Sequence, residues 1–174
     1  MRFSGALGWL TIALLLSCGA AIACEKDSVA RQYLAAIDAM DWEAMEAHLA
    51  DDAVYTDPTM IHFDRDAIDL AGAEAIVEFW RSSSKSSGTS EIRYTVASCF
   101  ETAGYHAVNL DIVVTVSGAF WNVAKEEIEI PGRVLSLVRV EGGRVTEHHD
   151  YVEYAAADAV VEELQERYGT VEPR

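Results

Sequence analysis

The sequence predicts an α+β domain in which helices pack on one face of a strongly curved antiparallel sheet. Apolar residues spaced by three and four dominate the chain up to about residue 81, which is the pattern of amphipathic helices. From residue 91 onward they alternate with polar residues instead, as in strands that bury one face. Helices followed by a meander of strands are typical of α+β folds. Helices on a curved sheet leave a cavity, where ligands usually bind.

Three N-terminal helices and one C-terminal helix are predicted. The first runs from Lys26 to Met40, with Asp27 or Ser28 as its cap, and the second begins after Asp41. The third runs from about Ala71 to Arg81. Their buried stripes consist of large apolar residues: Val29, Tyr33, Ile37 and Met40, then Trp42, Met45 and Leu49, then Ile76, Phe79 and Trp80. The chain closes with a helix over residues 155–168.

The predicted strands form one early element and a later meander. A short strand over residues 53–56 ends at Pro58, because proline has no N–H to give to a sheet. Met60 to Leu70 has no clear period and is expected to be an irregular loop, and the serine-rich segment Ser82 to Ser90 a linker. The later strands are expected at residues 92–96, 108–116, 128–140 with an interruption at Pro131, and 144–154 after a hairpin turn at Gly142-Gly143.

The N-terminus is typical of an export signal. One basic residue precedes an apolar run over residues 7–16, and Ala21-Ile22-Ala23 has the small-x-small pattern of a cleavage site. We therefore expect a signal peptide at residues 1–23 and a single domain at residues 24–174, exported to the periplasm or beyond; an uncleaved anchor is the alternative. Cys18 and Cys24 each resemble the lipidated cysteine of bacterial lipoproteins. If neither is lipidated, Cys24 can pair with Cys99 in an oxidising compartment.

The charge of the chain restricts its partners. The formal net charge is −16 over 174 residues. Such a surface repels nucleic acid and anionic lipid, so neither is an expected partner, and membrane contact is expected only through a lipid anchor. About half of the residues are apolar, which excludes a disordered acidic tail.

The stretch from Ala50 to Thr59 is the first candidate for a functional site. Side chains alternate along a strand, so Tyr55 and Asp57 point to the same face and place a phenol beside a carboxylate at the end of a strand. Asp57-Pro58 is equally typical of an ordinary surface turn. The rest of the chain decides between these interpretations.

Two segments resemble a known group of families. Asp41 to Ala44 (DWEA) and Leu49 to Pro58 (LADDAVYTDP) are similar to the SnoaL-like and ketosteroid-isomerase-like families, and the resemblance extends to Gly143 to Val145 and His149 to Tyr151. It implies the nuclear-transport-factor-two-like fold, a cone of curved antiparallel sheet closed by helices around a pocket. That fold hosts isomerases, cyclases, hydrolases, dehydratases and non-catalytic binders, so the resemblance implies no single function.

The resemblance also suggests roles for individual residues. Asp57 stands where ketosteroid isomerases keep the carboxylate that abstracts a proton, Tyr33 where they keep an oxyanion-hole tyrosine, and Ser136 where they keep a second acid. His149-Asp150-Tyr151 resembles a segment of limonene-epoxide-hydrolase-like proteins, which makes Asp150 the general acid or base. Tyr55 and Asp57 fall where those enzymes hold a water, but the position of their arginine is taken by Asn109.

The expected site combines these residues. Its catalytic set is Asp57, Asp150, Tyr33 and Tyr55, and its substrate-binding set is Trp80, Trp121, Ser136 and His148. Two carboxylates in one apolar pocket repel and lose solvation, so we expect the pKa of one of them to rise. No cofactor is expected, and no metal, because no tight ligand spacing accompanies His148 and the two acids.

Two classes of function remain open from the sequence. One is an acid/base isomerase, cyclase or hydrolase that acts on a small apolar molecule with a carbonyl or epoxide group. The other is a non-catalytic small-molecule-binding or dimeric interaction domain. A homodimer is expected from the resemblance and from Phe120, Trp121 and the long alternating strands.

Overall fold

The computed structural model describes residues 22–63 and 65–171, so the expected signal peptide lies outside the described residues except for Ile22 and Ala23. Four α-helices and seven strands follow one another in the order β1 (Ile22–Ala23), α1 (Val29–Asp38), α2 (Trp42–His48), β2 (Leu49–Asp57), β3 (Ile68–Ala71), α3 (Ala73–Ser87), β4 (Glu91–Thr102), β5 (Tyr105–Ser117), β6 (Glu127–Glu141), β7 (Arg144–Val152) and α4 (Tyr154–Tyr168). Short 3-10 helices occupy Pro58–Phe63 and Gly118–Trp121.

The strands form one sheet whose inner face carries the core. Its order is β1-β4-β5-β6-β7-β2-β3, and every neighbouring pair is antiparallel except β2 and β7. Register shifts in β4, between Val96 and Ser98, and in β7, opposite Arg139 and Val140 of β6, are β-bulges, which bend a sheet. The α+β prediction is therefore confirmed, with three helices before the meander and one after it.

Helix α1 covers the middle of the inner face. Its N-cap is Ser28, whose hydroxyl accepts a hydrogen bond from the N–H of Arg31, as the sequence predicted. Tyr33 and Ile37 lie one turn apart and are both fully buried, against Val108 of β5 among others. The apolar stripe read from the sequence is thus the face that places Tyr33 inside the cone.

The serine-rich segment is helical, so the prediction of a linker at Ser82 to Ser90 was wrong. Helix α3 continues to Ser87 and ends at Gly88, whose φ of 61° is a left-handed conformation that glycine adopts easily. Serine hydroxyls donate back to carbonyls of the preceding turn, as from Ser86 to Ser83 at 3.0 Å. These bonds satisfy the serine hydroxyls, and packing of the buried face of α3, which includes Ser84, stabilises the helix. The extension adds a wall to the cavity described below.

Two other sequence expectations differ from the structure. The segment expected to be an irregular loop contains β3, which pairs with β2 from Val54 to Asp57. Pro131 does not interrupt its strand, because β6 pairs only with β5 at that point and its pairing with β7 begins at Val134. A proline whose N side faces no partner strand costs no ladder hydrogen bond.

A disulfide connects the beginning of the described chain to the sheet. Cys24, directly after β1, is bonded to Cys99 of β4, with Cα atoms 5.4 Å apart and a sequence separation of 75. Of the alternatives that the sequence left open for Cys24, the structure therefore contains the pairing. Cys18 lies outside the described residues. None of the helices within residues 22–63 and 65–171 is both long and apolar enough to cross a bilayer.

Candidate active site

A cavity of about 360 Å³ lies between α3, the inner face of the sheet and the start of α4. Most of its walls are aromatic or aliphatic: Tyr55, Phe79, Trp80, Ile92, Tyr94, Ile112, Val114, Val134, Val152 and Tyr154. The carboxylates of Asp57 and Asp150 are the acidic groups among its lining residues, and Arg65 lies at the same cavity. A mostly apolar cavity of this volume with a few convergent polar groups is typical of a small-molecule site.

Strand alternation brings the two carboxylates together. In β2 every second residue is buried from Ala53 to Asp57, and in β7 His148 and Asp150 are buried on the same side of the strand. Because β2 and β7 are neighbours with Tyr55 beside His148, these inward positions form one polar patch. The parity argument made from the sequence for Tyr55 and Asp57 is confirmed, and His148 and Asp150 follow the same alternation on β7.

Three side chains hold the carboxylate of Asp150. Oδ1 accepts hydrogen bonds from Ser136 Oγ at 2.5 Å and lies 2.9 Å from His148 Nε2, while Oδ2 accepts from the Tyr55 hydroxyl at 3.2 Å. Burial raises the pKa of Asp150, but the nearby His148 and the three hydrogen bonds outweigh it and leave the pKa below its usual value. The expectation that repulsion and burial raise the pKa is therefore wrong for Asp150.

His148 extends this network to helix α1. Its Nδ1 lies 3.0 Å from the Tyr33 hydroxyl, and the two rings meet edge to face. If the phenol donates to Nδ1, the ring carries its proton on Nε2 and donates it to Asp150, so every group in the chain is satisfied. Burial and the charge of Asp150 raise the pKa of Tyr33 well above its usual value, so the phenol keeps its proton for this hydrogen bond.

Asp57 is held by a separate set of donors. Its Oδ1 accepts from the backbone N–H of Thr59 at 2.9 Å and from the Thr59 hydroxyl, and its Oδ2 accepts from the Tyr154 hydroxyl at 2.6 Å. The Thr59 hydroxyl in turn accepts from the N–H of Val152. Asp57 is therefore fixed at the junction of β2, β7 and α4 with only 1% of its surface exposed.

The structure divides the predicted site residues into three groups. Asp57, Asp150, Tyr55 and Trp80 line the cavity. Tyr33, Ser136 and His148 are buried and do not line it; Ser136 and His148 hydrogen-bond Asp150, and Tyr33 hydrogen-bonds His148. Trp121 lines an adjoining cavity of about 210 Å³, which shares the wall around Val114 and Tyr154 with the first.

Sequence reasoning missed three residues of the site, which are Tyr94, Tyr154 and Thr59. Tyr94 lines the cavity from β4, and within the described residues its hydroxyl has no hydrogen-bond partner, so it is free to bind a ligand oxygen. Burial, followed by the charge of Asp150, raises the pKa of Tyr94, which keeps this donor protonated. Its inward position was visible in the alternation of Ile92, Tyr94 and Val96. Tyr154 was assigned to the last strand but is the first residue of α4.

Known proteins that resemble this chain share its fold. A protein described as a SnoaL-like polyketide cyclase from Shewanella denitrificans aligns with a TM-score of 0.68 and 18% identity, covering 78% of this chain and 95% of that one. An LEH-like epoxide hydrolase from M. tuberculosis aligns with a TM-score of 0.61 and 14% identity over 78% and 88%. AclR from Streptomyces galilaeus, described as a hydroxylase, aligns with a TM-score of 0.60 and 16% identity over 78% and 94%.

The search of curated proteins found no match. The model of the SnoaL-like domain, in contrast, matches residues 30–148, which is well over half of the chain and includes β2, the cavity wall of α3 and β7 as far as His148. The described fold, a curved sheet covered by helices around a cavity, is the one that the resemblance of Asp41 to Ala44 and Leu49 to Pro58 implied. The chain belongs to the SnoaL-like domain family.

Proposed function

We propose that the cavity binds a small, mostly apolar molecule with a carbonyl, enol or epoxide group, and that Asp150 exchanges a proton with it. The observation that carries this proposal is a buried carboxylate that faces an aromatic cavity while its pKa lies below the usual value. Such a group is ionised at neutral pH and can accept a proton, and the apolar walls exclude the water that would compete for it.

The hydrogen bonds support a role for each residue in the proposed reaction. Asp150 removes a proton from the carbon next to a substrate carbonyl, and the electron pair of that C–H bond moves onto the carbonyl oxygen. Tyr94 donates its hydroxyl proton in a hydrogen bond to this oxygen as negative charge develops there. Ser136, Tyr55 and His148 hold the carboxylate in place, and Tyr33 fixes the tautomer of His148. Asp57 is the second carboxylate in reach of the ligand.

One observation favours a binding protein without catalysis. All four carboxylate oxygens of Asp57 and Asp150 already accept hydrogen bonds from protein groups. A carboxylate whose lone pairs are engaged is a weaker base, and the same arrangement presents fixed acceptors to a hydroxylated ligand. Binding without turnover is therefore the second candidate function.

Deuterium exchange distinguishes the two candidates. α-Tetralone, an apolar bicyclic ketone, is incubated with the protein in D₂O, its α-proton signals are followed by NMR, and its binding is followed by tryptophan fluorescence. We expect saturable exchange above the buffer rate, and a loss of about 10²-fold in Tyr94→Phe, because removing one oxyanion donor typically costs that much. Tyr105→Phe is the matched control, since its hydroxyl bonds Glu147 outside the cavity. Saturable binding without exchange would support the binder instead.

We propose further that the chain is exported and is not lipidated at Cys24. The disulfide between Cys24 and Cys99 supports this, because disulfides persist in oxidising compartments and a sulfur bonded to Cys99 cannot also carry a thioether-linked lipid. Intact-mass measurement of protein from its native cell should show a chain without residues 1–23, without lipid and with two thiols oxidised. A mass that includes Met1, or an added diacylglyceryl group on Cys24, would contradict this.

We also propose a homodimer that forms through the outer face of the sheet. Tyr151, which is 43% exposed, and the half-buried Leu135 lie beside each other on this face, opposite the cavity. Sedimentation equilibrium at micromolar concentration should give twice the chain mass, and Tyr151→Glu should shift the protein toward monomer. A wild-type protein that is monomeric at that concentration would contradict the proposed homodimer.

A further inference from the structure

A second cluster of reactive side chains lies outside the candidate active site. Sulfur atoms of Cys24 and Cys99 and a ring nitrogen of His106 all lie within 4.8 Å of one another. Cys99 and His106 belong to the neighbouring strands β4 and β5, and Cys24 reaches them from the end of β1. Among the histidine, cysteine and acidic side chains of the described residues, these three have possible ligand atoms close enough together to hold one metal ion.

His106 is the unexplained member of the cluster. It is 4% exposed, and its Nδ1 is buried without a hydrogen-bond partner in the described part of the chain. A buried imidazole nitrogen without a hydrogen-bond partner is costly, so its presence there requires a reason. The nearest acidic group is Glu101, directly opposite on β4, whose Oε2 lies 3.8 Å from Nδ1 and is too far for a hydrogen bond.

We propose that this cluster is a redox-gated zinc site. In the oxidised form the two sulfurs are bonded to each other and the site is closed. A dithiol reductant transfers two electrons and two protons to the disulfide and is itself oxidised to a disulfide. Zn²⁺ then displaces the two thiol protons and binds Cys24, Cys99 and His106, with Glu101 as the fourth ligand.

The chemistry of the donors selects zinc. Two thiolates and an imidazole are a common set for tetrahedral zinc, with bonds of about 2.0–2.3 Å, so ligand atoms less than 5 Å apart can converge on one ion. Thiolates exclude magnesium and calcium, which prefer oxygen ligands. Because Cys24 begins the exported chain and is bonded to Cys99 of β4, the ion replaces the disulfide as the connection between the N-terminal segment and the sheet.

Cobalt binding tests the site, since Co²⁺ occupies zinc sites and reports thiolate ligands by a charge-transfer absorption. The full chain without residues 1–23 is reduced with a phosphine under anaerobic conditions and titrated with Co²⁺, then with Zn²⁺. We expect one equivalent of Co²⁺ with a thiolate charge-transfer band, displaced by Zn²⁺, in the reduced protein and no such band in the oxidised protein. His106→Leu should weaken Co²⁺ binding at least tenfold, and His48→Gln, outside the cluster, should leave it unchanged.

A second measurement follows the cysteines themselves. Zn²⁺ should slow alkylation of both thiols by iodoacetamide in the reduced wild type and much less in His106→Leu, with circular dichroism showing that the reduced chain keeps its fold. Unfolding on reduction, metal binding without a thiolate band, or equal affinity in His106→Leu would each overturn the proposal.

Discussion

Asp150→Asn is expected to lower the rate of deuterium exchange into α-tetralone by about 10²–10⁴-fold, the usual contribution of one positioned acid/base group. The amide keeps the shape of the carboxyl group, and its oxygen can still accept from Ser136 and His148. It cannot accept a proton at neutral pH. Ligand binding, measured by tryptophan fluorescence, should therefore change little while exchange is lost.

Asp111→Asn is the matched control for this variant. Asp111 is exposed on the outer face of β5, where its carboxylate lies 3.6 Å from Arg133, so the same chemical change occurs away from the cavity. We expect wild-type exchange in this control. If Asp150→Asn also exchanged protons at the wild-type rate, the base would have to be another group, and Asp57→Asn would be the next variant to measure.

His148→Leu is expected to reduce the free energy of unfolding by about 3–5 kcal/mol, the usual result of breaking a buried ion pair or charged hydrogen-bond network at one partner. His148 is 1% exposed and connects Tyr33 to Asp150. Leucine fills much of the space, but it leaves the buried carboxylate of Asp150 with one donor fewer and the buried Tyr33 hydroxyl without an acceptor. Urea unfolding at neutral pH measures the change.

The double variant His148→Leu/Asp150→Asn separates charge from packing. Because Asn is neutral, the loss of His148 should cost clearly less in this background than in the wild type, which a double-mutant cycle detects as coupling. His149→Leu, one residue away on the opposite face of β7, should cost about 1 kcal/mol or less. Full additivity of the two changes would show that His148 does not support the charge of Asp150.

The fold could be predicted because it depends on the helical repeat of about 3.6 residues and the strand repeat of two, and both repeats are apparent in the spacing of apolar residues. The stripe through Tyr33 and Ile37 identifies the buried face of α1, and alternation through Tyr55 and Asp57, or His148 and Asp150, identifies the inward face of each strand. These local patterns do not depend on partners elsewhere in the chain. The cavity-facing residues on strands were therefore accessible from the sequence alone.

The rest of the site depends on contacts between distant segments. Tyr154 reaches Asp57 across 97 positions and the Tyr33 hydroxyl reaches His148 across 115, and no local pattern shows such pairs. The sequence led us to expect that the pKa of one of the two carboxylates rises, whereas the pKa of Asp150 is lowered, for the same reason. Burial and repulsion follow from composition, whereas the contacts of Asp150 with His148, and then with Ser136 and Tyr55, which reverse the shift, are known only from the folded chain.

The serine-rich end of α3 was predicted wrongly for a different reason, which is that local helix propensity does not include tertiary packing. Serine has a modest helix propensity and favours turns, so Ser82 to Ser87 looks like a linker when considered locally. In the folded chain Ser84 is buried and the segment is a wall of the cavity, so tertiary packing stabilises a helix that propensity alone does not.

The pH dependence of exchange into α-tetralone tests the central claim, that ionised Asp150 is the base. His148 and the three hydrogen bonds hold the pKa of Asp150 below the usual value for an aspartate, so the carboxylate is ionised at neutral pH and is lost only as the pH falls through the folded value. The rate per bound ligand should therefore be flat from about pH 5 to 8 and fall only below about pH 4, with circular dichroism confirming the fold at each pH. A rate that instead rises through about pH 6.5, the range of histidine, would contradict this assignment.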